Sequence, residues 1–461
     1  MVTQSMASDD AWLDELEARP QHPRLHGVIH GPLARPLRLG RRSKAFAQTT
    51  PGRIIVVMVL LTGMLLAAGL SMSQSMAGRN QSLDTVREAT EPMSAAAHLL
   101  STSLLRADTI AAGGFVQPGP LSHEDVQAYS AALDTAVSSA GEIYKGAVEA
   151  NSPSSERIEE LVGEIQRDLP VYAGLNERAR VNQRMGNPVG VAYMSEASSI
   201  MRSRMQVAAS EINALTRADV AKEMRRLSQP QWVPLSGLLA ALGFLVLAQW
   251  WLWRVFRRRF NRGFLAGTLA VVVALTWAGV SNYQSWRNGS VGYEQAAQPW
   301  EELTAARIDA LETRTDETFA LLRRQSVVHS SRAFDGTYAS VSEALATAEA
   351  YGGEQQLIDD ARDALRTWAF DHNELVGALN SGSYDQAAAL LASDRAAGEA
   401  PFRQLDAALS ELIASSRQDT QTYIDASLDA TRRVSAVVAL LSVLAVMCTW
   451  LGIRRRLGEY L

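Results

Sequence analysis

The sequence predicts an all-α fold in which four transmembrane helices carry two extracytoplasmic helical bundles. Three observations lead there. Four long uncharged runs, 54–78, 227–253, 263–286 and 434–453, each supply the ~20 apolar residues that a helix needs to cross the hydrocarbon layer. Apolar residues between the runs recur at helical spacing, and no alternating β-branched run bounded by turn dipeptides interrupts them. Finally, charge is segregated: 19 acidic residues stand against 15 basic over 72–232, and 24 against 12 over 282–432, while short basic patches flank the apolar runs.

Residues 1–53 form a basic tail, and from Ala18 to Leu83 there is no acidic residue. His22, His26 and His30 in "HPRLHGVIH" would align on a helix as metal ligands. Pro23, Gly27, Pro32 and Pro36 break any such helix, so the tail reads as largely disordered and no metal site is expected. Near its start, "DDAWLDELEA" (9–18) can form a short helix capped by Asp9 or Asp10, with Trp12, Leu13 and Leu16 as a candidate docking motif.

The spans follow at 54–71, 233–253, 263–281 and 433–453, with apolar centres at Ile54–Leu70, Leu235–Leu252, Phe264–Val280 and Val434–Leu451. Trp232, Trp250, Trp251, Trp253, Trp277, Tyr283, Trp286 and Trp450 sit at their ends, as in an interfacial aromatic belt. The 254–262 loop carries Arg254, Arg257, Arg258, Arg259 and Arg262, and the 454–461 tail carries Arg454, Arg455 and Arg456. Short basic loops stay cytoplasmic. Both patches and the basic N-terminal tail share one side only if the chain crosses four times with both termini in the cytoplasm. A signal-peptide reading of the first run, with a small-residue cleavage site at Ser75–Ala77, is disfavoured by the long tail before it.

Two outside segments, 72–232 and 282–432, are thereby defined. In the first, Leu83, Val86, Thr90, Met93, Ala97, Leu100 and Leu104 form a heptad seam, with Pro92 predicting a kink. Further stripes are Ile158, Leu161, Ile165, Leu169 and Tyr172, then Met201, Met205, Ala208, Ile212 and Leu215. Breakers at "GGFVQPGP" (113–120), "NSP" (151–153) and "GNPVG" (186–190) divide it into four helices, 73–112, 122–149, 154–185 and 190–230, projecting about 60 Å. In the second, Phe402, Leu405, Leu409, Leu412 and Ser416 repeat the pattern. Breaks are expected at "RAFDG" (332–336), "YGGE" (351–354) and "NSGSYD" (380–385), with a short helix before "YGGE". Helices continuing directly into the spans would transmit a displacement as a piston or rotation.

Composition and motifs exclude several classes. The formal net charge of −5 and the acidic long segments argue against nucleic-acid binding. A single cysteine, Cys448, excludes an intramolecular disulfide. His98, His123, His329 and His372 are isolated, and no phosphate loop, GxSxG, HExxH or kinase signature occurs, so no catalytic residue, metal site or cofactor is expected. Acid pairs such as Glu159/Glu160 and Asp359/Asp360 read as solvated helix faces. The spans contain no charge, against a transporter or channel. Gly237 with Ala241, Gly263 with Gly267, and Ala270, Ala274 and Ala278 offer close-packing faces, within the chain or across a homodimer.

Each half resembles the helical sensor of bacterial chemoreceptors without its cytoplasmic output. The whole layout, with four spans, two helical outside segments and little cytoplasmic chain, resembles the actinobacterial GlnX-type membrane proteins; the Ala- and Arg-rich composition is similar to that of a high-GC actinobacterium. That resemblance implies a non-catalytic relay between an amino-acid-binding lipoprotein outside (GlnH) and a cytosolic Ser/Thr kinase inside (PknG). The partner surface is then expected at the outer tip, through Gly113, Gly114, Phe115, Gln117 and Pro118, with Arg332, Phe334 and Asp335. Two other readings stay open. A direct amino-acid sensor would hold ligand carboxylates through Arg106, Arg323 and Arg324. An envelope scaffold would pass no signal.

Overall fold

A computed structural model of the chain describes residues 49–116, 122–256, 261–288, 293–323, 328–396 and 401–457. Every element among them is helical, and four helices are long and apolar enough to cross a membrane. In order these are α1 (Thr50–Thr85), α2 (Glu91–Gly113), α3 (His123–Ala150), α4 (Ser155–Arg184), α5 (Val189–Ile200), α6 (Gln206–Ser228), α7 (Trp232–Phe256), α8 (Arg262–Trp286), α9 (Tyr293–Arg323), α10 (Val328–Ala350), α11 (Gln355–Asn380), α12 (Tyr384–Ala396), α13 (Pro401–Arg432) and α14 (Val434–Leu457). π turns at Val86–Thr90 and Met201–Met205 join α1 to α2 and α5 to α6.

The described residues divide into two compact units. One holds those up to Leu70, Ser236–Ala274 and those from Leu440 onward, the apolar stretches of α1, α7, α8 and α14. Small residues bring these helices together. A Cβ on Gly263 of α8 would lie 2.5 Å from Gly452 Cα of α14, and one on Gly267 would lie 3.2 Å from Ala445 O. The expected small-residue face is thus used inside the chain. Polar groups are satisfied across helices: Asn261 Nδ2 donates to Gly452 O at 3.0 Å, Trp450 Nε1 to Thr62 Oγ1 at 2.9 Å, and Gln249 Nε2 to Phe264 O at 3.0 Å.

The other unit holds Ser71–Leu235 and Leu275–Ala439. Its first half packs α2, α3, α4, α5 and α6 around one core that includes Leu100, Leu104, Ile143, Tyr172, Met201 and Ile212. All seven residues of the predicted seam from Leu83 to Leu104 are buried. The predicted breaks in this half appear, each for a local reason. Ser122 caps α3 by accepting from Asp125 N at 3.0 Å, with Glu124 and Asp125 in the favourable first turn. Asn151 ends α3 at φ 45° and Gly186 follows α4 at φ 69°, left-handed conformations those residues tolerate. At Pro92 the irregularity takes the form of a π turn: Pro92 has no N–H to continue the ladder, and the backbone re-registers over Val86–Thr90.

The second half packs α9, α10, α11 and α13 around Leu303, Val341, Leu345, Ile358, Leu365 and Leu409. Two expectations are corrected here. There is no break at 332–336, because α10 runs through it, and the helix before "YGGE" is 23 residues long rather than short. Gly336 costs about 1 kcal/mol inside a helix, less than the roughly 1.5–3 kcal/mol from burying an aromatic side chain, and Phe334 is 5 % exposed. The breaks after Ala350 and Asn380 occur as expected, at Gly352 (φ 88°) and Gly382 (φ 74°).

The halves are stitched along their length. Arg79 Nη1 and Nη2 donate to Asn282 Oδ1 and Ser285 Oγ, both at 3.0 Å. Glu91, 2 % exposed, pairs with Arg417 at 3.0 Å, and Thr109 Oγ1 meets Thr315 Oγ1 at 2.8 Å. Leu83, Val86, Met224, Ala297, Ile424 and Leu428 form a core to which α1, α6, α9 and α13 all contribute. Of the helices expected to continue into spans, α1 is unbroken from Thr50 to Thr85. By contrast α6 and α7 are separated at 229–231, where Pro230 holds Gln229 extended at ψ 139°, and α13 and α14 by Arg433.

Candidate sensing surfaces and a polar groove

The expected tip is assembled from turns that the structure does bring together. Gly114 N donates to Ile110 O at 3.1 Å, closing α2, and Gln183 Nε2 of α4 donates to Gly114 O at 2.8 Å. The 113–116 turn therefore sits against the end of α4, beside the 186–190 turn. Val116 packs on a cluster of Leu321, Leu375, Leu379 and Leu391, so the same end carries the close of α9. Phe115, 9 % exposed, and Phe334, 5 % exposed, are core residues. Phe334 stacks on His372 at 3.9 Å and meets Trp368 edge-on at 4.9 Å. Arg332 and Asp335 are exposed on α10, and among the described residues Met185 (67 %) and Val189 (48 %) are exposed apolar side chains at the tip. Gln117, Pro118, Arg324, Arg257, Arg258 and Arg259 lie outside the described residues, as do the side chains of Arg455 and Arg456, the three N-terminal histidines and the 9–18 segment.

Of the candidate carboxylate-binding arginines, the two described, Arg106 and Arg323, are not gathered into a site. Arg106 stands exposed on α2. Arg323 lies over the Phe319 ring at 4.9 Å and donates to Ser195 Oγ at 3.4 Å. Arg254 likewise lies over Trp250, at 5.2 Å, while Arg262 and Arg454 are exposed.

Two buried polar clusters lie one in the core of each half. Asp108, fully buried, accepts from Ser198 Oγ at 2.6 Å and from Tyr172 OH at 3.3 Å. Burial pushes its carboxyl up to about 6, with those two hydrogen bonds and Arg202 opposing. Glu317, 1 % exposed, meets Arg314 at 3.0 Å, His372 Nδ1 at 2.7 Å and Trp368 Nε1 at 3.3 Å. Among the described residues no group of three or more His, Cys, Asp or Glu is placed to hold a metal ion.

The feature that sequence reading missed is a polar groove of about 400 Å³ between α2, α6 and α9. His98 and Ser101 come from α2, Gln206, Asn213 and Arg217 from α6, and Glu301 and Glu312 from α9. Arg202 enters from the π turn, which also sends Arg204 the other way to Asp168 at 2.7 Å. Arg202 pairs with Asp316 at 2.5 Å and Arg217 with Glu301 at 3.5 Å. Burial, then Arg217, pushes His98 down to about 4; its ring meets Trp300 edge-on at 5.0 Å. Burial raises Glu312, with Asp309 and Asp316 adding to the rise and Arg202 opposing it. Three buried atoms of the groove residues, His98 Nδ1, Gln206 Oε1 and Asn213 Oδ1, have no hydrogen-bond partner among the described residues. A second cleft, about 310 Å³ beside Pro299, Tyr351 and Tyr423, has no such atom. The sequence held one signal: Gln206 and Asn213 each follow a seam position, Met205 and Ile212, and lie seven residues apart on one face.

Residues 82–225, the span that builds the first half of this unit, match a family described as an actinobacterial sensor domain. No curated protein and no solved structure matches the chain. Together with four helices able to cross a membrane, the match points to a membrane protein of actinobacterial sensor type.

Proposed function

We propose that the chain is a non-catalytic transmembrane relay of the GlnX type. An amino-acid-binding lipoprotein loads its extracytoplasmic unit, and the resulting state is passed to a cytosolic Ser/Thr kinase. In this reading both termini and the 254–262 loop lie in the cytoplasm, and the tip around Gly113, Met185 and Val189 meets the lipoprotein. The observation that carries the proposal is α1: one unbroken helix holds a membrane-crossing stretch and, at Leu83, a core position shared with α6, α9 and α13. A shift in the large unit therefore has a covalent, hydrogen-bonded path toward the cytoplasmic end of the helix. The sensor-domain match over 82–225 supports the input side.

Inserting two prolines directly after Gln74, the exposed position between half-buried Ser73 and Ser75 on α1, tests the relay. The proposal expects both partners still to bind while amino-acid-dependent kinase output is lost. An unchanged response would overturn transmission through α1, and a response absent from the parent chain as well would favour the scaffold reading.

A further inference from the structure

We infer that residues 282–432 supply, within the chain, the twofold partner that the 82–225 sensor half packs against, so that one chain is a complete paired sensor. The two halves follow one order. Each enters from a span through a long helix, α2 after α1 and α9 after α8. Each returns to the next span through another, α6 before α7 and α13 before α14. Both entering helices carry a proline near their start, Pro92 and Pro299. These landmarks set a correspondence of roughly 200 positions between the halves without reference to any contact between them.

The contacts between the halves fall on that correspondence. Arg79 and Ser285, 206 positions apart, hydrogen-bond at 3.0 Å. Thr109 and Thr315, also 206 apart, bring their hydroxyls to 2.8 Å. Leu105 and Leu311 lie in one core at the same separation. The returning helices do likewise: Val220 with Ile424 and Met224 with Leu428 share another core, again at one separation. Any two parallel helices hold some constant separation; here it is the one that sets each residue beside its own counterpart, as a twofold axis between the halves requires. The crossed contacts are reciprocal too. Arg217 of α6 reaches Glu301 of α9 at 3.5 Å, and Arg417 of α13 reaches Glu91 of α2 at 3.0 Å. In an isologous interface residue i of one member meets j of the other, and j meets i. An arginine on the returning helix and a glutamate on the entering helix repeat that relation on both sides. The face so used is closed to a second chain, since Val86, Glu91 and Leu105 are each at most 2 % exposed.

The family match stops at residue 225, and this pairing gives 282–432 the role of companion sensor half. It stands or falls separately from the relay, because it is read by crosslinking within the full chain and needs neither partner protein. In a Cys448→Ser background, Arg217→Cys/Glu301→Cys and Arg87→Cys/Asp425→Cys place thiols on the two sides of the interface, at ion pairs that are largely solvent-exposed. Loss of exposed ion pairs costs little stability, so both double variants are expected to fold. A short bis-maleimide added to membranes holding the full chain is expected to bridge both pairs, read by mass spectrometry of the linked peptides, with every product at the mass of one chain. Two co-expressed single variants, one carrying Arg217→Cys and the other Glu301→Cys, are expected to give no linked dimer. Failure of either pair to bridge, or a linked dimer from the double or the co-expressed single variants, would overturn the proposal.

Discussion

Asp108→Asn offers a quantitative test of the packing at the centre of the first half. Asp108 is 0 % exposed, and its carboxyl is raised from 3.8 to about 6, chiefly by burial. A rise of a little over two units corresponds to ~3 kcal/mol of differential stability. The folded-state value lies above the unfolded one, so between them the folded protein binds more protons than the unfolded chain. Stability therefore falls as pH rises from about 4 to 6, and the full penalty persists above 6. The amide has nearly the same shape and no charge. Its Oδ1 still accepts from one of Tyr172 OH and Ser198 Oγ, and the Ser198 hydroxyl can turn to accept from Nδ2. The variant is expected to exceed the parent by about 1 kcal/mol at pH 4.5 and by up to ~3 kcal/mol at pH 7.5, less any loss from the altered hydrogen bonds. At roughly 2 °C per kcal/mol for a large domain, the difference at pH 7.5 is a gain of about 4–6 °C. Thermal melts of parent and variant at both pH values read it. A difference that does not change between pH 4.5 and 7.5 would refute the assignment of a buried, titrating carboxyl.

Other outcomes follow from single contacts. Glu317→Ala removes the buried carboxylate that Arg314, His372 and Trp368 share and is expected to cost about 3–5 kcal/mol by denaturant melt. Phe334→Ala is expected to cost about 3–5 kcal/mol through a cavity against Trp368 and His372, and any loss of partner binding should follow the loss of fold. Gly263→Leu drives a side chain into Gly452 of α14 and should abolish a stable detergent-purified protein, whereas Gly243→Leu, with open space at its Cβ, should not. In a Cys448→Ser background, Gly141→Cys is expected to label with an impermeant maleimide on intact cells, and Thr49→Cys only after permeabilisation; the reverse would invert the proposed topology.

Much of the helical layout was legible because its signals are local. "GGFVQPGP", "NSP" and "GNPVG" end helices through residues that tolerate left-handed or proline backbone, and the breaks fall there. The same logic failed at "RAFDG", where Gly336 stays helical because Phe334 has a pocket formed by Trp368 and His372, which no local rule sees. It also missed the π turn at Met201–Met205, which contains no proline. The tip was legible as turns but not as an apolar surface: Phe115 and Phe334 are drawn inward, while Met185 and Val189, which no sequence signal singled out, are exposed among the described residues. The groove was the least legible feature. Its residues come from 98–101, 202–217 and 301–312, and whether Gln206 Oε1 or Asn213 Oδ1 finds a donor depends on how three separate helices meet.

The central claim, that this chain couples an extracytoplasmic binding protein to a cytosolic kinase, is tested most directly by affinity capture of the tagged protein from its own membranes after crosslinking, with and without excess aspartate and glutamate. The account predicts a solute-binding lipoprotein and a Ser/Thr kinase in the eluate, in amounts that change with the amino acids. Neither partner in the eluate, or both in amounts indifferent to the amino acids, would contradict it.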